Sequence, residues 1–415
     1  MNPRLELLQP YPFERLRKLF AGATPPADLK PIMLSIGEPQ HPTPSLLKEA
    51  LAANLGALSR YPQMKGLPEL RVAMAEWTAR RHGIDPLDPE REIIPAAGTK
   101  EALFGIAQAV VDPADSEALV VAPNPFYQIY EGATLLAGAK PYFINALARN
   151  AFRPDWAGVP EPVWKRTRLV YACSPNNPTG RVMPLDEWKL LFELSDRFGF
   201  VVVSDECYSE IYFDESSPPL GGLAAAKALG RKGYPRLIAM GSLSKRSNAP
   251  GLRSGFIAGD AALIEKFGLY RTYYGTGVSN TIQLASIAAW KDEVHVRENR
   301  RLYREKFAAF REIVDPVLPL TMPEAAFYYW AAIPACPGNP EAGDTQFARD
   351  LYAAANVTVL PGSFIGRDAH GVNPGRGFVR IALVSTVDES VEAARRIRDF
   401  MAARAERKPV ARAAG

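Results

Sequence analysis

Cysteine and histidine are both scarce in this sequence of 415 residues, which contains three cysteines and four histidines. The cysteines, Cys173, Cys207 and Cys336, lie far apart and form no C-x-x-C pair. An odd and low count argues against a disulfide framework and is typical of a protein kept in a reducing cytoplasm, which is the location we expect. The histidines are scattered and no H-E-x-x-H motif occurs, so we predict no catalytic metal site.

Long apolar runs and a strong charge imbalance are also absent. Charges and prolines interrupt the first twenty residues, so they contain neither a signal-peptide core nor a spanning helix, and no later apolar run reaches membrane length. The formal net charge is only +4, whereas a nucleic-acid-binding protein is expected to show a concentrated basic face. We therefore expect neither a membrane nor a nucleic acid as a partner.

Nucleotide-binding signatures are missing as well, because the chain has no G-x-x-x-x-G-K-[ST] loop and no G-x-G-x-x-G fingerprint. What the chain does have is an apolar content of 47%, which over this length can supply two cores. Near residue 290 the alternation of strand-like and helix-like segments gives way to a long, charge-rich helical stretch. We therefore predict a large domain over 36–290 and a small domain formed by 1–35 together with 291–415.

Short apolar runs rich in β-branched residues predict buried strands in the large domain, at 117–122, 168–172, 200–204, 237–240 and 255–258. Helical patterns lie between runs of this kind, at 100–111, 184–198 and 262–270. Alternating strands and helices predict an α/β fold with a mostly parallel sheet. The small domain, with a long charged helix over 294–314 and strands near 327–332 and 377–382, is predicted to be α+β.

Gly98, Thr99 and Lys100 follow a short apolar run and open a predicted helix. In open parallel sheets, ligands bind at the carboxyl ends of the strands. A turn of small residues at a helix N-terminus presents free N–H groups to an anion. Taken alone, however, Thr99 is typical of an ordinary helix N-cap.

Asp205 directly follows the predicted strand 200–204, and the segment 242–245, which ends in Lys245, follows the predicted strand 237–240. A single Asp at such a place is commonly a loop cap, but it can also pair with a cationic ring nitrogen. Most lysines are surface charges. Lys245, however, is flanked by hydroxyl groups and followed by Arg253, an arrangement that favours an amine of lowered pKa that forms an imine beside a phosphate.

Five motifs give these residues a common context: 35–39 (SIGEP), 61–71 (YPQMKGLPELR), 174–180 (SPNNPTG), 204–208 (SDECY) and 242–255 (SLSKRSNAPGLRSG). Together, and in this order, they resemble the class I and II aminotransferases, the fold type I enzymes that depend on pyridoxal phosphate. The resemblance extends from about residue 35 to residue 380. It implies a large domain built on a mostly parallel sheet and a smaller α+β domain.

The same resemblance implies catalytic roles. Lys245 would carry pyridoxal 5'-phosphate as a Schiff base and then move the substrate α-proton. Asp205 would keep the ring nitrogen protonated, so that the ring stays an electron sink. Asn177 and Tyr208 would hydrogen-bond the phenolic oxygen of the ring, and Tyr127 would stack on the face of the ring.

Phosphate and substrate partners are implied in the same way. The residues expected around the phosphate are Gly98, Thr99, Lys100, Ser242, Ser244 and Arg253. Gly37, Asn177 and Arg380 would bind the substrate, with Arg380 clamping the α-carboxylate through a bidentate pair. Tyr61 would reach the phosphate of a neighbouring subunit, so the resemblance implies a homodimer with shared active sites.

The substrate is suggested by residues 244–256 and 1–14, which are similar to those of proteobacterial N-succinyldiaminopimelate aminotransferases of lysine biosynthesis. This likeness implies amino transfer between glutamate or 2-oxoglutarate and N-succinyl-LL-2,6-diaminopimelate. Such substrates carry distal carboxylates, so we expect a second cation in the pocket, with Arg246 as the candidate. An aspartate- or alanine-type aminotransferase and a β-lyase that cleaves C–S bonds stay open as alternatives.

Overall fold

The structure is a computed structural model that describes residues 1–275, 277–334 and 343–406; Cys336 lies outside them. Its strands are β1 (Ile32–Met33), β2 (Ile93–Ala96), β3 (Leu119–Asn124), β4 (Lys140–Asn145), β5 (Thr167–Cys173), β6 (Val201–Asp205), β7 (Leu237–Ser242), β8 (Gly255–Gly259), β9 (Tyr328–Ala332), β10 (Val357–Thr358), β11 (Leu360–Pro361) and β12 (Phe378–Ala382). Its helices are α1 (Pro12–Phe20), α2 (Ser45–Ala53), α3 (Pro68–His82), α4 (Thr99–Val110), α5 (Ile129–Ala137), α6 (Glu161–Arg166), α7 (Leu185–Phe198), α8 (Gly222–Ala228), α9 (Leu243–Arg246), α10 (Ala261–Tyr274), α11 (Asn280–Lys291), α12 (Val294–Val314), α13 (Gly343–Ala355) and α14 (Val387–Glu406). Among these helices, none combines the length and the apolar character needed to cross a bilayer.

Seven strands form the central sheet, in the order β2-β8-β7-β6-β5-β3-β4. The strands from β3 to β7 run parallel, which confirms the predicted mostly parallel sheet. β8 lies antiparallel between β2 and β7, and apolar composition could not predict this because it does not encode strand direction. β4 was not predicted from the sequence, because it begins with Lys140 and Pro141 and is only partly buried at the edge of the sheet.

β6 shows why the central strands have continuous apolar sequences. All five of its residues are buried, because helices cover both faces of the sheet. Val202 packs in the same core as Leu191 of α7, whereas Val203 packs in a separate core with Leu103 of α4. Asp205 ends this strand, so a carboxylate is placed at the carboxyl edge of a buried sheet, where it needs polar partners.

A smaller α+β unit is built around a second, antiparallel sheet in the order β11-β12-β9, with α12 and α14 packed together beside it. β1 pairs in parallel with β10, so Ile32 joins the core of this smaller unit. The predicted α/β architecture with a smaller α+β unit is therefore confirmed. The domain boundaries of 36–290 and of 1–35 with 291–415 stay predictions.

Candidate active site

A cavity of about 370 Å³ lies at the carboxyl ends of the central strands, next to the smaller unit. It brings together most of the predicted site residues: Gly37, Thr99, Lys100, Tyr127, Asn177, Asp205, Tyr208, Ser244, Lys245, Arg253 and Arg380. Asp205 belongs to β6 of the central sheet, whereas Arg380 belongs to β12 of the smaller unit. The cavity therefore depends on the packing of the two units against each other.

Lys245 lies on α9, a single helical turn that directly follows β7. The helix begins here because Ser242 caps it, its side chain accepting the Ser244 N–H at 3.1 Å. The Lys245 Nζ donates to the Gly37 carbonyl at 2.6 Å and forms no ion pair with any carboxylate of the described residues. Burial lowers the pKa of this amine, which makes it available as a nucleophile and a base.

Two hydrogen bonds hold Asp205 at the end of β6. The Tyr130 hydroxyl donates to Oδ2 at 2.6 Å, and the Cys207 N–H donates to Oδ1 at 3.2 Å. Burial raises the pKa of the Asp205 carboxyl, and both hydrogen bonds counteract that rise. Within the described residues this carboxylate has no cationic partner, so it is suited to pair with a protonated ring nitrogen of a ligand.

Arg380 enters the cavity from β12. Its Nη1 donates to the Asn177 Oδ1 at 2.9 Å, and its Nη2 donates to the Ser35 carbonyl at 2.8 Å. The guanidinium carbon lies 4.4 Å from the centre of the Tyr328 ring. Its Nε is buried and has no hydrogen-bond partner in the described part of the chain. A buried guanidinium with a donor to spare and no carboxylate partner is suited to an anionic group of a ligand.

Tyr208 and Tyr328 both line the cavity, and their hydroxyl oxygens are 2.8 Å apart. Burial raises the pKa of both phenols. Each hydroxyl therefore keeps its proton at neutral pH and can act as a hydrogen-bond donor.

The N-terminus of α4 and Arg253 form a cradle beside the cavity. Gly98 precedes the helix with a φ of 81°, and a Cβ at this position would overlap the Arg253 guanidinium. The Arg253 Nη2 donates to the Ala97 carbonyl at 3.1 Å. Free N–H groups in the first turn of a helix, next to a guanidinium, are suited to a phosphate.

Four predicted residues do not line the cavity: Gly98, which belongs to the cradle beside it, and Ser242, Arg246 and Tyr61. Ser242 caps α9, and its Oγ donates to the Ser254 carbonyl at 3.4 Å. The prediction for Arg246 is wrong, because its side chain is only 1% exposed and donates to the Ala289 carbonyl at 2.7 Å, outside the cavity. Tyr61 is fully exposed, so a contact with a phosphate would have to be made to another copy of the chain, and this stays a prediction.

Several cavity residues were not predicted from the sequence, among them Tyr11, Pro12, Phe13, Gln128, Cys207 and Tyr328. Cys207 lies between two predicted residues in the chain, so its neighbours were a usable signal. Tyr11 carried no such signal, because it reaches the cavity only through the packing of the N-terminal segment. There the Lys100 Nζ lies 5.7 Å from the centre of the Tyr11 ring.

Comparison with known proteins identifies the family. The family model described as "Aminotransferase class I and II" matches residues 30–397. The chain belongs to this family. The resemblance drawn from the sequence motifs is thereby confirmed, and with it the dependence on pyridoxal phosphate that the family shares.

Individual relatives agree with this assignment. This aminotransferase is 34% identical over 404 residues to LL-diaminopimelate aminotransferase from Desulforudis audaxviator, covering 95% of this chain and 96% of the relative. The crystal structure of an aminotransferase from Neisseria meningitidis is 50% identical, has a TM-score of 0.91, and covers 97% of this chain and 100% of that chain. A probable N-succinyldiaminopimelate aminotransferase from Thermus thermophilus is 28% identical, has a TM-score of 0.82, and covers 94% of this chain and 100% of that chain.

The cavity of this aminotransferase fits the cofactor of the family. For the aldehyde group, Lys245 offers an amine that has no ion pair among the described residues. For the ring nitrogen, Asp205 offers a buried carboxylate. The cradle formed by Gly98 and Arg253 offers N–H donors and positive charge for the phosphate. The aldehyde, the ring nitrogen and the phosphate of pyridoxal phosphate therefore each have a complementary partner.

Proposed function

We propose that this aminotransferase moves an amino group between glutamate or 2-oxoglutarate and N-succinyl-LL-2,6-diaminopimelate, a step of lysine biosynthesis. The observation that carries the chemistry is the partly buried Lys245 amine, whose one hydrogen bond among the described residues goes to a backbone carbonyl, in a cavity that also contains Asp205 and Arg380. The diaminopimelate skeleton is supported by two relatives, whose names place a free or a succinylated diaminopimelate among their substrates.

We assign the chemical roles at the cofactor as follows. Bound pyridoxal phosphate supplies an electron-accepting ring that stabilises the negative charge developing at the substrate Cα. Lys245 holds the cofactor covalently through Nζ and afterwards carries the proton away from the substrate Cα, a positioned transfer that typically contributes about 10²–10⁴-fold. Asp205 keeps a proton on the ring nitrogen. Asn177 and Tyr208 hydrogen-bond the ring oxygen, and Tyr127 packs on the ring.

We assign Arg380 to the α-carboxylate of the substrate. Its guanidinium is already oriented by Asn177 and by the Ser35 carbonyl, so little conformational entropy is lost when a carboxylate binds. Because the clamp fixes the direction of the α-carboxylate, it would leave the Cα–H bond perpendicular to the cofactor ring, so that this bond breaks rather than the bond to the carboxylate. Transamination is therefore favoured over decarboxylation.

Lys100 is the candidate for the distal carboxylate, in place of Arg246. The cations that line the cavity are Lys100, Lys245, Arg253 and Arg380. The last three have roles at the cofactor or at the α-carboxylate. The Lys100 ammonium faces the Tyr11 ring and forms no ion pair with a described carboxylate, so it can accept an anionic end of the substrate.

The test is a half-reaction followed by a choice of acceptor. Glutamate is added to the holoenzyme, and the yellow cofactor absorbance should convert to that of pyridoxamine phosphate. N-succinyl-LL-2,6-diaminopimelate should perform the same conversion, and 2-oxoglutarate should reverse it. The substrate assignment is rejected if glutamate and the succinylated amine both leave the spectrum unchanged while another amino acid converts it.

A second candidate function is transamination of LL-diaminopimelate itself. It is favoured by the 34% identity to an LL-diaminopimelate aminotransferase over nearly the whole chain. The two candidates differ in one succinyl group, so kcat/KM should be compared for the free and the succinylated amine. The same assay distinguishes an aspartate- or alanine-type enzyme, and a C–S β-lyase would release pyruvate and ammonia without an oxo-acid acceptor.

We also propose a homodimer in which Tyr61 completes the phosphate site of the neighbouring subunit. The Tyr61 side chain is fully exposed in the single chain, and Leu58 close to it is 65% exposed. Large apolar side chains in such a position are typical of an interface. Sedimentation of the holoenzyme should give twice the mass of one chain, and Tyr61→Phe should weaken cofactor binding without changing that mass.

A further inference from the structure

Arg246, directly after Lys245, occupies a buried site of its own. Its guanidinium carbon lies 5.4 Å from the centre of the Trp77 ring and 5.1 Å from that of Trp290. The Trp77 indole N–H donates to Glu293 at 3.0 Å, and the Arg246 Nη2 forms an ion pair with the same carboxylate at 2.6 Å. The guanidinium is thus enclosed by aromatic rings and a carboxylate, on the side of α9 away from the cavity.

The same guanidinium caps the C-terminus of α11. It donates to the Ala289 carbonyl at 2.7 Å and to the Asp292 carbonyl at 3.0 Å. The last carbonyls of a helix have no partner within the helix, and the helix dipole favours a cation beside them. Only Asp292 and Glu293 separate α11 from α12, which belongs to the smaller unit. Arg246 therefore joins α9 to the point where the chain enters the smaller unit.

The residues around Arg246 make parallel contacts with α12. The Ser247 Oγ lies 2.8 Å from the His295 Nε2. The Asn248 Nδ2 donates to the Asn299 Oδ1 at 2.9 Å, and the Asn299 Nδ2 donates to the Lys245 carbonyl at 3.3 Å. Four consecutive residues, 245–248, are thus each bound to the α11–α12 junction or to the first turns of α12.

α9 needs this external support, because one helical turn has little stability of its own. We propose that Arg246 is a positioning residue: by capping α11 and anchoring α9 to the α11–α12 junction, it fixes where the Lys245 amine lies in the cavity. The substrate does not contact Arg246. This inference rests on the proposed role of Lys245, and it goes beyond that role by linking the catalytic amine to the smaller unit.

The test compares Arg246→Lys with the matched control Arg231→Lys. Arg231 also pairs with a carboxylate, that of Asp196, donates to the Pro235 carbonyl at 3.3 Å, and lies 4.8 Å from the Phe192 ring centre. Arg231 precedes β7 in the chain and Arg246 follows it, so the two arginines lie near opposite ends of that strand. Lysine retains the charge but lacks the planar fork of donors with which one guanidinium bonds Ala289, Asp292 and Glu293 together.

Arg246→Lys should lower kcat about 10- to 100-fold and change KM for glutamate by less than about threefold, because a misplaced amine impairs the chemical step rather than binding. The pH at which the absorbance of the bound cofactor changes should also move. Amide hydrogen exchange of residues 243–248 should accelerate in the cofactor-free protein. Arg231→Lys should leave all three measurements at the wild-type values. A folded Arg246→Lys variant with wild-type kcat and absorbance profile overturns the proposal.

Glu293→Gln and Asn299→Ala decide the question if Arg246→Lys does not fold. Glu293→Gln removes the charge that pairs with Arg246, and Asn299→Ala removes the hydrogen bonds to Asn248 and to the Lys245 carbonyl. Each variant should lower kcat and speed exchange at 243–248. Wild-type behaviour of both variants overturns the proposal. Borohydride reduction of the wild-type holoenzyme separates the two hypotheses: label on a residue other than Lys245 refutes the proposed function, whereas label on Lys245 with unaffected variants refutes only the role of Arg246.

Discussion

Lys245, at the carboxyl edge of the central sheet, is partly buried, and Lys306, in the core of the smaller unit, is fully buried. The amine of each donates to a backbone carbonyl. Burial lowers the pKa of each, and it lowers that of Lys306 to about 7. Their surroundings differ. Lys245 lines a cavity together with Asp205 and Arg380, whereas Lys306 is enclosed in packed helices, 4.6 Å from the centre of the Tyr303 ring. A lowered pKa therefore marks a catalytic amine only where a cavity and complementary groups accompany it.

Replacing the two lysines should give the largest difference in turnover between the two regions. Lys245→Ala should lower turnover by at least about 10⁴-fold, because the covalent link to the cofactor and the proton transfer are lost together. Lys306→Met should keep turnover within about threefold of the wild type, since the residue does not line the cavity. Steady-state transamination of both folded variants checks the comparison. A nearly normal rate in Lys245→Ala, or an equal loss in both variants, would contradict it.

Arg380 allows the same comparison for substrate binding, between an arginine that lines the cavity and one outside it in the same unit. Arg380→Lys should lower kcat/KM about 10- to 100-fold, because a charge-assisted hydrogen bond contributes about 1.5–3 kcal/mol. The matched control is Arg396→Lys in the same unit, where the Arg396 Nη1 donates to the Lys30 carbonyl at 2.7 Å outside the cavity. The control should keep its kcat/KM for glutamate. Equal effects in the two variants would show that the loss reflects the packing of the smaller unit.

Tyr11 should give a smaller effect, because it lines the cavity without a role at the reacting atoms. Tyr11→Phe keeps the ring and removes a hydroxyl whose pKa burial raises. Loss of one neutral hydrogen bond costs about 0.5–1.5 kcal/mol, so KM for glutamate should rise about 2- to 10-fold while kcat stays near its normal value. Tyr273→Phe, at a side chain that is 86% exposed, is the control. An unchanged KM for Tyr11→Phe would remove the N-terminal segment from the substrate site.

The floor of the cavity could be predicted from the sequence, because strand ends fix it. Asp205 and Lys245 each follow a continuous apolar run, and the carboxyl ends of parallel strands meet at one edge of a sheet. Tyr11 and Tyr328 could not be found in this way. They reach the cavity through contacts between distant parts of the chain, which no local pattern encodes.

Arg246 shows a different limit of the sequence. Consecutive residues on a helix project about 100° apart. Within the single turn of α9, no periodicity indicates which of Lys245 and Arg246 faces the cavity. Strand direction is a comparable case, since the apolar sequence of β8 would suit a parallel strand as well as the antiparallel strand observed.

Lys306 offers the smallest expected effect, on stability alone. Its pKa is about 7 in the folded protein and 10.5 for an ordinary lysine, so between these values the unfolded chain binds a proton that the folded protein does not. Stability linked to this group therefore rises as the pH increases from about 7 towards 10.5, with a limiting slope of about 1.4 kcal/mol per pH unit. Lys306→Met should flatten the pH dependence of the unfolding free energy between pH values of about 7 and 8.5, below the range in which ordinary tyrosines and lysines titrate. Urea unfolding of both proteins across this range measures the difference. A variant with the same slope as the wild type would show that Lys306 keeps its charge in the core. The lowered pKa would then no longer be a property that Lys306 shares with Lys245.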